Sequence, residues 1–256
     1  MDRPLVHLLL YGESGSGKST GAATFPTPQL VFSFEPVGKE MPYLKRSGSH
    51  LEGEDEFGSF TEILSTKTGE SLVRVEHYID GDIGVDESGK LTVNPTAWLR
   101  FLRRCTTLRD AATTYRTIIV DSVTWADLAA RNLEQYKLNK HAKEPRQWFG
   151  GATTALEQTL MIWFGSVRTN VVVVAHVDRE KDEVHGVFLS NPKAPGRLRS
   201  ALASGFNEFY HAFVGRDGQG RPEYLWQTRS DDRWNASSQN EAPDPCVPHY
   251  SAIWGG

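Results

Sequence analysis

The stretch from Gly12 to Thr20, GESGSGKST, combines the residue types that bind the phosphates of a nucleoside triphosphate. Its glycines let backbone N–H groups turn inward without Cβ clashes, so that these groups can cradle phosphate oxygens. Lys18 can reach the β- and γ-phosphates, and the Ser19 hydroxyl can ligate Mg²⁺. An accidental glycine-rich turn is the alternative, but the complete motif between an apolar run and small helix-compatible residues favours the phosphate loop. The predicted nucleotide contacts are Gly12, Glu13, Ser14, Gly15, Ser16, Gly17, Lys18, Ser19 and Thr20.

A second position with chemical potential is Asp121, which ends the apolar run 117–120 and precedes Ser122. This pattern is typical of a Walker B strand, whose acid holds Mg²⁺ directly or through water. A lone acid at the end of a strand can instead cap the following helix. Because a complete phosphate loop is present, we favour the metal role. Ser19 and Asp121 are therefore the predicted metal ligands.

Two further polar residues follow apolar runs. Glu35 comes after the run 30–34, at the end of an expected strand, where a carboxylate can face the γ-phosphate. His176 comes after the valine-rich run 171–175, where an imidazole can donate to the γ-phosphate and report its hydrolysis. A solvated acid and a strand-capping histidine are the alternatives, and position alone does not decide between the two interpretations.

A mostly parallel sheet would position these side chains, since strands buried on both faces read as continuous apolar runs. Helices are expected after Asn94-Pro95, over 123–139 and over 152–167, because apolar residues recur there at helical spacing. Central strands are expected at 5–11, 30–34, 117–121 and 170–175, with two more at 206–214 and 222–228. The sequence thus predicts an α/β fold with helices flanking the sheet and antiparallel strands at its C-terminal edge.

Two regions with weak hydrophobic patterns indicate how the domain is organised. Residues 37–94 lack a clear period, and we expect an irregular insertion there with a hairpin near its end. Residues 236–256 are polar and Pro-rich, which indicates a tail on the surface or partly disordered. We therefore predict one nucleotide-binding domain over 1–235, followed by this tail over 236–256.

Composition limits the class of protein. The chain has 256 residues and a formal net charge of −4, which argues against coating nucleic acid by bulk charge. Two cysteines give neither metal-ligand spacing nor a disulfide framework. No apolar run approaches the ~18 residues of a membrane span, and the N-terminus lacks a secretory signal. We expect a soluble cytoplasmic protein.

Positive charge is concentrated in two stretches, 137–151 and 178–200, between the expected strands. The first is basic, aromatic and glycine-terminated, as expected of a mobile loop that grips a nucleic-acid strand. Ordinary surface loops are the alternative, and the residues alone favour it. The candidate DNA contacts are Lys140, Lys143, Arg146, Trp148, Lys193, Arg197 and Arg199.

The order of these motifs resembles the RecA-like P-loop ATPase core. It is most similar to the short phage-encoded members, the phage nucleotide-binding proteins that include RecA-like single-strand annealing proteins. Besides the phosphate loop, the resemblance rests on Asp121-Ser122-Val123 and on the segment 173–177, VVAHV. It implies ATP and Mg²⁺ as cofactors, Lys18 and Glu35 as catalytic residues with Glu35 activating water, and His176 in the place of the γ-phosphate-sensing glutamine. It also implies that the two basic stretches bind single-stranded DNA.

Three functions follow as expectations. The first is a Mg²⁺-dependent, DNA-stimulated ATPase that promotes annealing or strand exchange in phage recombination or replication. The second is an accessory P-loop ATPase without direct DNA contacts, and the third is a nucleotide-binding module that hydrolyses poorly. The resemblance implies single-stranded DNA, further copies in a ring or filament, and a single-strand-binding or recombination protein as partners. It implies no membrane partner and, for a phage-encoded protein, a place in the host cytoplasm.

Overall fold

A central β-sheet organises the chain. The computed structural model describes residues 4–81, 83–110, 114–142, 144–181, 188–196 and 198–254. The strands are β1 (His7–Gly12), β2 (Gln29–Ser33), β3 (Ser49–Asp55), β4 (Gly58–Leu64), β5 (Ser71–His77), β6 (Ile83–Val85), β7 (Leu91–Val93), β8 (Thr117–Asp121), β9 (Asn170–Lys181), β10 (Phe188–Pro192), β11 (Glu208–Arg216), β12 (Pro222–Gln227) and β13 (Ser237–Ser238).

The main sheet runs in the order β12-β11-β1-β9-β8-β2-β5-β4-β3. Every neighbouring pair from β11 to β5 is parallel, which requires crossover connections on the faces of the sheet. The pair β11–β12 is antiparallel, and so are β5–β4 and β4–β3 at the opposite edge. The predicted α/β fold, a mostly parallel sheet with an antiparallel C-terminal edge, is therefore confirmed.

Helices cover both faces of the sheet. They are α1 (Lys18–Ala22), α2 (Met41–Leu44), α3 (Ala97–Asp110), α4 (Val123–Leu133), α5 (Pro145–Glu157), α6 (Phe164–Ser166) and α7 (Leu198–Leu202). Two π-helical turns, Glu134–Leu138 and Gln158–Trp163, extend α4 and α5. None of the helices in the described ranges is long and apolar enough to cross a membrane.

Alternate residues of the central strands pack into two separate hydrophobic cores, one on each face of the sheet. Leu9 of β1 packs in one core with Phe101 of α3 and Leu156 of α5. Leu8 of β1 packs in the other core, which includes Ala22 at the end of α1. This is the period-2 alternation of a strand, so a sheet with apolar residues on both faces needs helices on both sides.

The prediction of an irregular insertion at 37–94 is wrong for most of its length. Three of its strands, β3, β4 and β5, extend the main sheet beyond β2, and only the β6–β7 hairpin stands apart as a second sheet. At its centre, Glu76 is 2% exposed and accepts hydrogen bonds from Arg74 Nε at 2.9 Å, Arg104 Nε at 3.0 Å and Tyr78 Oη at 2.8 Å. A buried carboxylate with these partners ties the insertion to α3.

The predicted surface tail also proves to be part of the fold. Ile253 is fully buried in a short 3₁₀-helix, Tyr250–Trp254, and Ala242 is 1% exposed. Both belong to the core that contains Leu8 and Ala22. The backbone of the tail also bonds to β12. Trp226 and Cys246 exchange two backbone hydrogen bonds, of 2.8 and 2.9 Å. The polar composition concealed this packing because its few apolar residues follow no period.

Candidate functional site

The phosphate loop connects β1 to α1 and turns through two left-handed glycines. Gly15 has φ +79° and Gly17 has φ +83°, values that side-chain-bearing residues rarely adopt. Lys18 follows at the start of α1 and is 7% exposed. Its Nζ donates to the carbonyl oxygens of Gly12 at 2.9 Å and of Glu13 at 2.7 Å. Burial lowers the pKa of Lys18, and nearby carboxylates oppose that shift.

The loop lies tightly against β11. A Cβ on Gly12 would lie 2.2 Å from the carbonyl oxygen of Ala212 and 2.8 Å from Ser16 Oγ, so only glycine fits there. Ser16 Oγ is buried and has no hydrogen-bond partner within the described ranges. A buried hydroxyl without a partner costs free energy unless a ligand or water satisfies it. The Ser16 hydroxyl is therefore a donor inside the phosphate loop that no other described residue uses.

The register of the parallel strands brings the predicted polar residues together. Ser33 of β2 lies opposite Asp121 of β8, and Gly12 of β1 lies opposite His176 of β9. Because all four strands run the same way, their carboxyl ends meet at one edge of the sheet. Glu35 follows β2 by two residues at that same edge.

Asp121 and Ser19 form a pair of oxygen donors that fits a magnesium ion. Ser19 Oγ and Tyr43 Oη each donate to Asp121 Oδ2 at 2.7 Å. Asp121 is 3% exposed, and burial raises its pKa, while the hydrogen bonds from Ser19 and Tyr43 oppose that shift. Carboxylate and hydroxyl oxygens are the ligands that Mg²⁺ takes alongside substrate phosphates. No cluster of three or more His, Cys, Asp or Glu residues suited to a metal occurs in the described part of the chain.

Glu35 is held by its neighbours from the adjacent strands. Ser122 Oγ donates to Glu35 Oε1 at 2.7 Å, and His176 Nε2 lies 3.8 Å from the same oxygen. Burial lowers the pKa of His176, and the charge of Lys18 lowers it further, so the ring is neutral near pH 7. The hydrogen bond from Ser122 thus orients the Glu35 carboxylate, while His176 lies nearby without a hydrogen bond to it.

These residues border one cavity of about 530 Å³, a size typical of small-molecule sites. Nine of the predicted residues line it, from the phosphate loop as well as Glu35, Asp121 and His176, whereas Gly12, Glu13 and Ser16 do not. The sequence analysis missed five further lining residues. They are Lys39, Pro42, Lys45, Tyr224 and Pro248.

The missed residues carry no local signal. Tyr43, which contacts Asp121, lies in the insertion that lacked a clear period, and Tyr224 reads as an ordinary strand residue. Ser122 could have been identified, because a hydroxyl residue directly after the strand-ending acid points to the same edge of the sheet.

The first basic stretch is largely helical and not a mobile loop. α5 begins at Pro145, a residue favoured at the first position of a helix, and runs through Gly150 and Gly151. Lys140 and Arg146 are exposed. Trp148 is half-buried, and its Nε1 donates to the carbonyl oxygen of Asn139 at 3.0 Å. The Trp148 ring is therefore hydrogen-bonded to the segment that precedes α5. The predicted DNA contact Lys143 lies outside the described residues.

The second basic stretch, 178–200, is also not a simple loop. β9 continues to Lys181, and β10 returns antiparallel to it, so that Asp178 lies opposite Asn191. Lys193 is exposed. Arg199 makes ion pairs with Asp178 at 2.7 Å and with Glu180 at 2.9 Å. Two carboxylates thus compete with any phosphate for this guanidinium. The predicted contact Arg197 lies outside the described residues.

The same hairpin reaches the phosphate loop. Arg179 Nη2 contacts Glu13 Oε1 at 2.7 Å, and both side chains are more than half exposed. An exposed ion pair of this kind contributes little stability. It does place a guanidinium of β9 beside the loop that binds phosphate.

Two solved structures show distant similarity to this chain. The flagellar accessory protein FlaH from Methanocaldococcus jannaschii superposes with a TM-score of 0.39 and 8% identity, covering 92% of this chain and 84% of that chain. The Legionella pneumophila ATPase DotB gives a TM-score of 0.32 and 11% identity, covering 88% of this chain and 45% of that chain. None of the curated proteins matches.

A family model identifies the chain more directly. The model described as AAA domain matches residues 6–236, which include the phosphate loop, β8 with Asp121 and β9 with His176. The matched region extends through β12 and leaves out only the two ends of the chain. The chain therefore belongs to the AAA domain family and is a P-loop nucleotide-binding domain of the AAA type.

Proposed function

We propose that this chain binds ATP and hydrolyses it with Mg²⁺. The observation that supports the proposal is the convergence of three kinds of group on one cavity. These are a phosphate loop with Lys18, the oxygen pair of Ser19 and Asp121, and the carboxylate of Glu35. Hydrolysis of a phosphoanhydride needs phosphate positioning, charge neutralisation and an oriented water. The three groups correspond to these three needs.

Glu35 is the residue proposed to accept the proton of the attacking water. Its Oε1 is occupied by Ser122 Oγ, which leaves the other carboxylate oxygen for a water at the cavity. His176 presents a neutral ring beside it and can donate to a γ-phosphate oxygen. Lys18 would exchange its carbonyl contacts for phosphate oxygens, which an ammonium group binds more strongly.

Ser19 and Asp121 would hold the magnesium ion, which when bound neutralises charge on the β- and γ-phosphates. Tyr43 keeps the Asp121 carboxylate turned toward Ser19 through its own hydrogen bond. The protein thus supplies a preformed pair of ligands, and ordering them on binding costs little.

The test compares three single variants for ATP binding and turnover. Lys18→Ala is expected to lose ATP binding while remaining folded. Glu35→Gln is expected to keep ATP affinity and to slow hydrolysis by about 10²-fold or more, as loss of a general base does. Glu40→Gln is the matched control, because Glu40 is a nearby acid whose carboxylate instead accepts from the Gly38 backbone at 2.7 Å. Normal turnover by Glu35→Gln together with a slow Glu40→Gln would move the base to Glu40.

A finer proposal follows from the resemblance to RecA-like phage proteins. It is that single-stranded DNA stimulates the ATPase, in support of annealing or strand exchange by a ring or filament of copies. Exposed Lys140, Arg146 and Lys193 support it as candidate phosphate contacts. The double ion pair of Arg199 and the buried edge of Trp148 weaken those two candidates.

Turnover with and without single-stranded DNA separates this proposal from an accessory ATPase. Stimulation that falls steeply with salt, and that Lys140→Ala with Arg146→Ala reduces, would support DNA contacts. Undetectable DNA binding by the wild-type protein in the presence of ATP would reject the DNA-stimulated function and leave the accessory ATPase as the proposal.

A further inference from the structure

We propose that Tyr224 and Pro248 form the subsite for the nucleobase, and that this subsite favours a purine. The inference rests on the proposed nucleotide function and names the part of the nucleotide that the phosphate loop does not contact. Tyr224 is on β12 and Pro248 is in the C-terminal segment, and both line the cavity that holds Lys18.

β12 is fixed to the phosphate-loop helix by two aromatic residues. A Cβ on Gly17 would lie 2.9 Å from Tyr224 Cδ1, and a Cβ on Gly21 would lie 2.6 Å from Trp226 Cζ2. Gly17 and Gly21 are one helical turn apart, and Tyr224 and Trp226 point to the same face of their strand. The two glycines therefore create the space in which the two rings lie against α1.

The two rings differ in what covers them. Trp226 is fully buried, whereas Tyr224 is 49% exposed although it makes the same kind of contact with the helix. Tyr224 borders the cavity, and the half-buried Pro248 borders it as well. A flat aromatic surface and a proline ring present an apolar wall at which a base can stack.

The remaining walls suit phosphates better than a base. Lys39 and Lys45 also line the cavity. A neutral, planar base gains little beside ammonium groups and gains dispersion contact against Tyr224. By this chemistry we assign Lys39 and Lys45 to phosphates and Tyr224 to the base. A two-ring base covers more of that wall than a one-ring base.

The test measures equilibrium affinity for ATP, CTP and inorganic tripolyphosphate in Mg²⁺. Tyr224→Leu keeps an apolar side chain against Gly17 and removes the ring, while Tyr224→Phe keeps the ring as the matched control. Tyr224→Leu is expected to weaken ATP binding about fivefold or more, the effect of losing one base–aromatic stack, with tripolyphosphate affinity unchanged. Its preference for ATP over CTP is expected to shrink. Lys39→Ala is expected to weaken ATP and tripolyphosphate by the same factor.

Other outcomes overturn the inference. Equal losses for ATP and tripolyphosphate in Tyr224→Leu would make Tyr224 a support of the phosphate loop. Unchanged ATP affinity in a folded variant would place the base elsewhere. If wild-type protein binds ATP with this pattern but does not hydrolyse it, the subsite stands and the proposed hydrolysis fails. If wild-type protein binds no ATP, both fail.

Discussion

Replacing Gly21 with alanine tests the packing that holds β12 against the phosphate-loop helix. In most helices this change is favourable, because alanine exceeds glycine in helix propensity by about 0.8–1 kcal/mol. At Gly21 the new methyl group would lie 2.6 Å from Cζ2 and 3.1 Å from Cε2 of Trp226. Trp226 is fully buried, so its indole cannot move aside into solvent. The steric cost and the propensity gain therefore act in opposite directions.

The expected balance is a loss of stability. Adding a methyl group to a packed core costs about 1–3 kcal/mol, and the propensity gain returns at most about 1 kcal/mol. We expect Gly21→Ala to lower the free energy of unfolding by up to about 2 kcal/mol. For a chain of this size each kcal/mol shifts Tm by about 2–4 °C, so Tm should fall by up to about 8 °C.

Gly150 in α5 is the matched control. It is exposed, and a Cβ there would meet no atom within 4 Å. Gly150→Ala should therefore raise the free energy of unfolding by about 0.5–1 kcal/mol through propensity alone. Urea denaturation and thermal melting of both variants measure the two changes. A Gly21→Ala protein as stable as Gly150→Ala would refute the argument, since it would mean that β12 does not constrain α1.

Two further predictions concern buried titratable groups. Glu76→Ala is expected to lower the free energy of unfolding by about 2 kcal/mol or more, because the partly buried Arg104 loses its carboxylate partner and Arg74, of the described carboxylates, keeps only Asp55 at short distance. Asp217→Ala, which removes the carboxylate partner of the exposed Arg221, is the control, and urea denaturation should show no comparable loss for it. Burial lowers the pKa of His211 below its usual value, so below about pH 6.5 the unfolded state takes up a proton that the folded state refuses, and the free energy of unfolding falls as pH falls. Denaturation at pH 7.5, 6.5 and 5.5 should show a smaller decrease for His211→Gln than for wild type, and parallel curves would contradict this assignment.

The central strands could be predicted because burial on both faces leaves an unmistakable pattern. The expected strand 117–121 coincides with β8, Thr117–Asp121, whose residues are all buried. β3 is nearly all exposed and, among the described strands, pairs with β4 alone, so its sequence SHLEGED shows no alternation. Strands at the centre of the sheet could therefore be predicted from the sequence, whereas the edge strand β3 could not.

The convergence of the site residues could be inferred for a similar reason. The sequence places Glu35, Asp121 and His176 at the ends of parallel strands, and residues so placed meet at one edge of the sheet. β9 in fact continues past His176 to Lys181, but His176 lies opposite Gly12 at the end of β1 and so reaches the same edge. Their catalytic roles remain predictions. Tyr43 and Tyr224 could not be inferred, because their contacts with the site depend on how α2 and β12 fold back onto it. Long-range packing of this kind has no local sequence signature.

The backbone bridge between Cys246 of the C-terminal segment and Trp226 of β12 has a consequence for self-association. An open sheet edge offers unpaired N–H and C=O groups that a second chain can extend into an aggregate. At one edge, Trp226 of β12 is already paired with Cys246. At the other edge, β3 carries Glu52, Glu54 and Asp55, whose charges repel an identical strand. A chain cut after residue 236 would lose the first of these protections, and we expect it to precipitate from solution at concentrations that the longer chain tolerates.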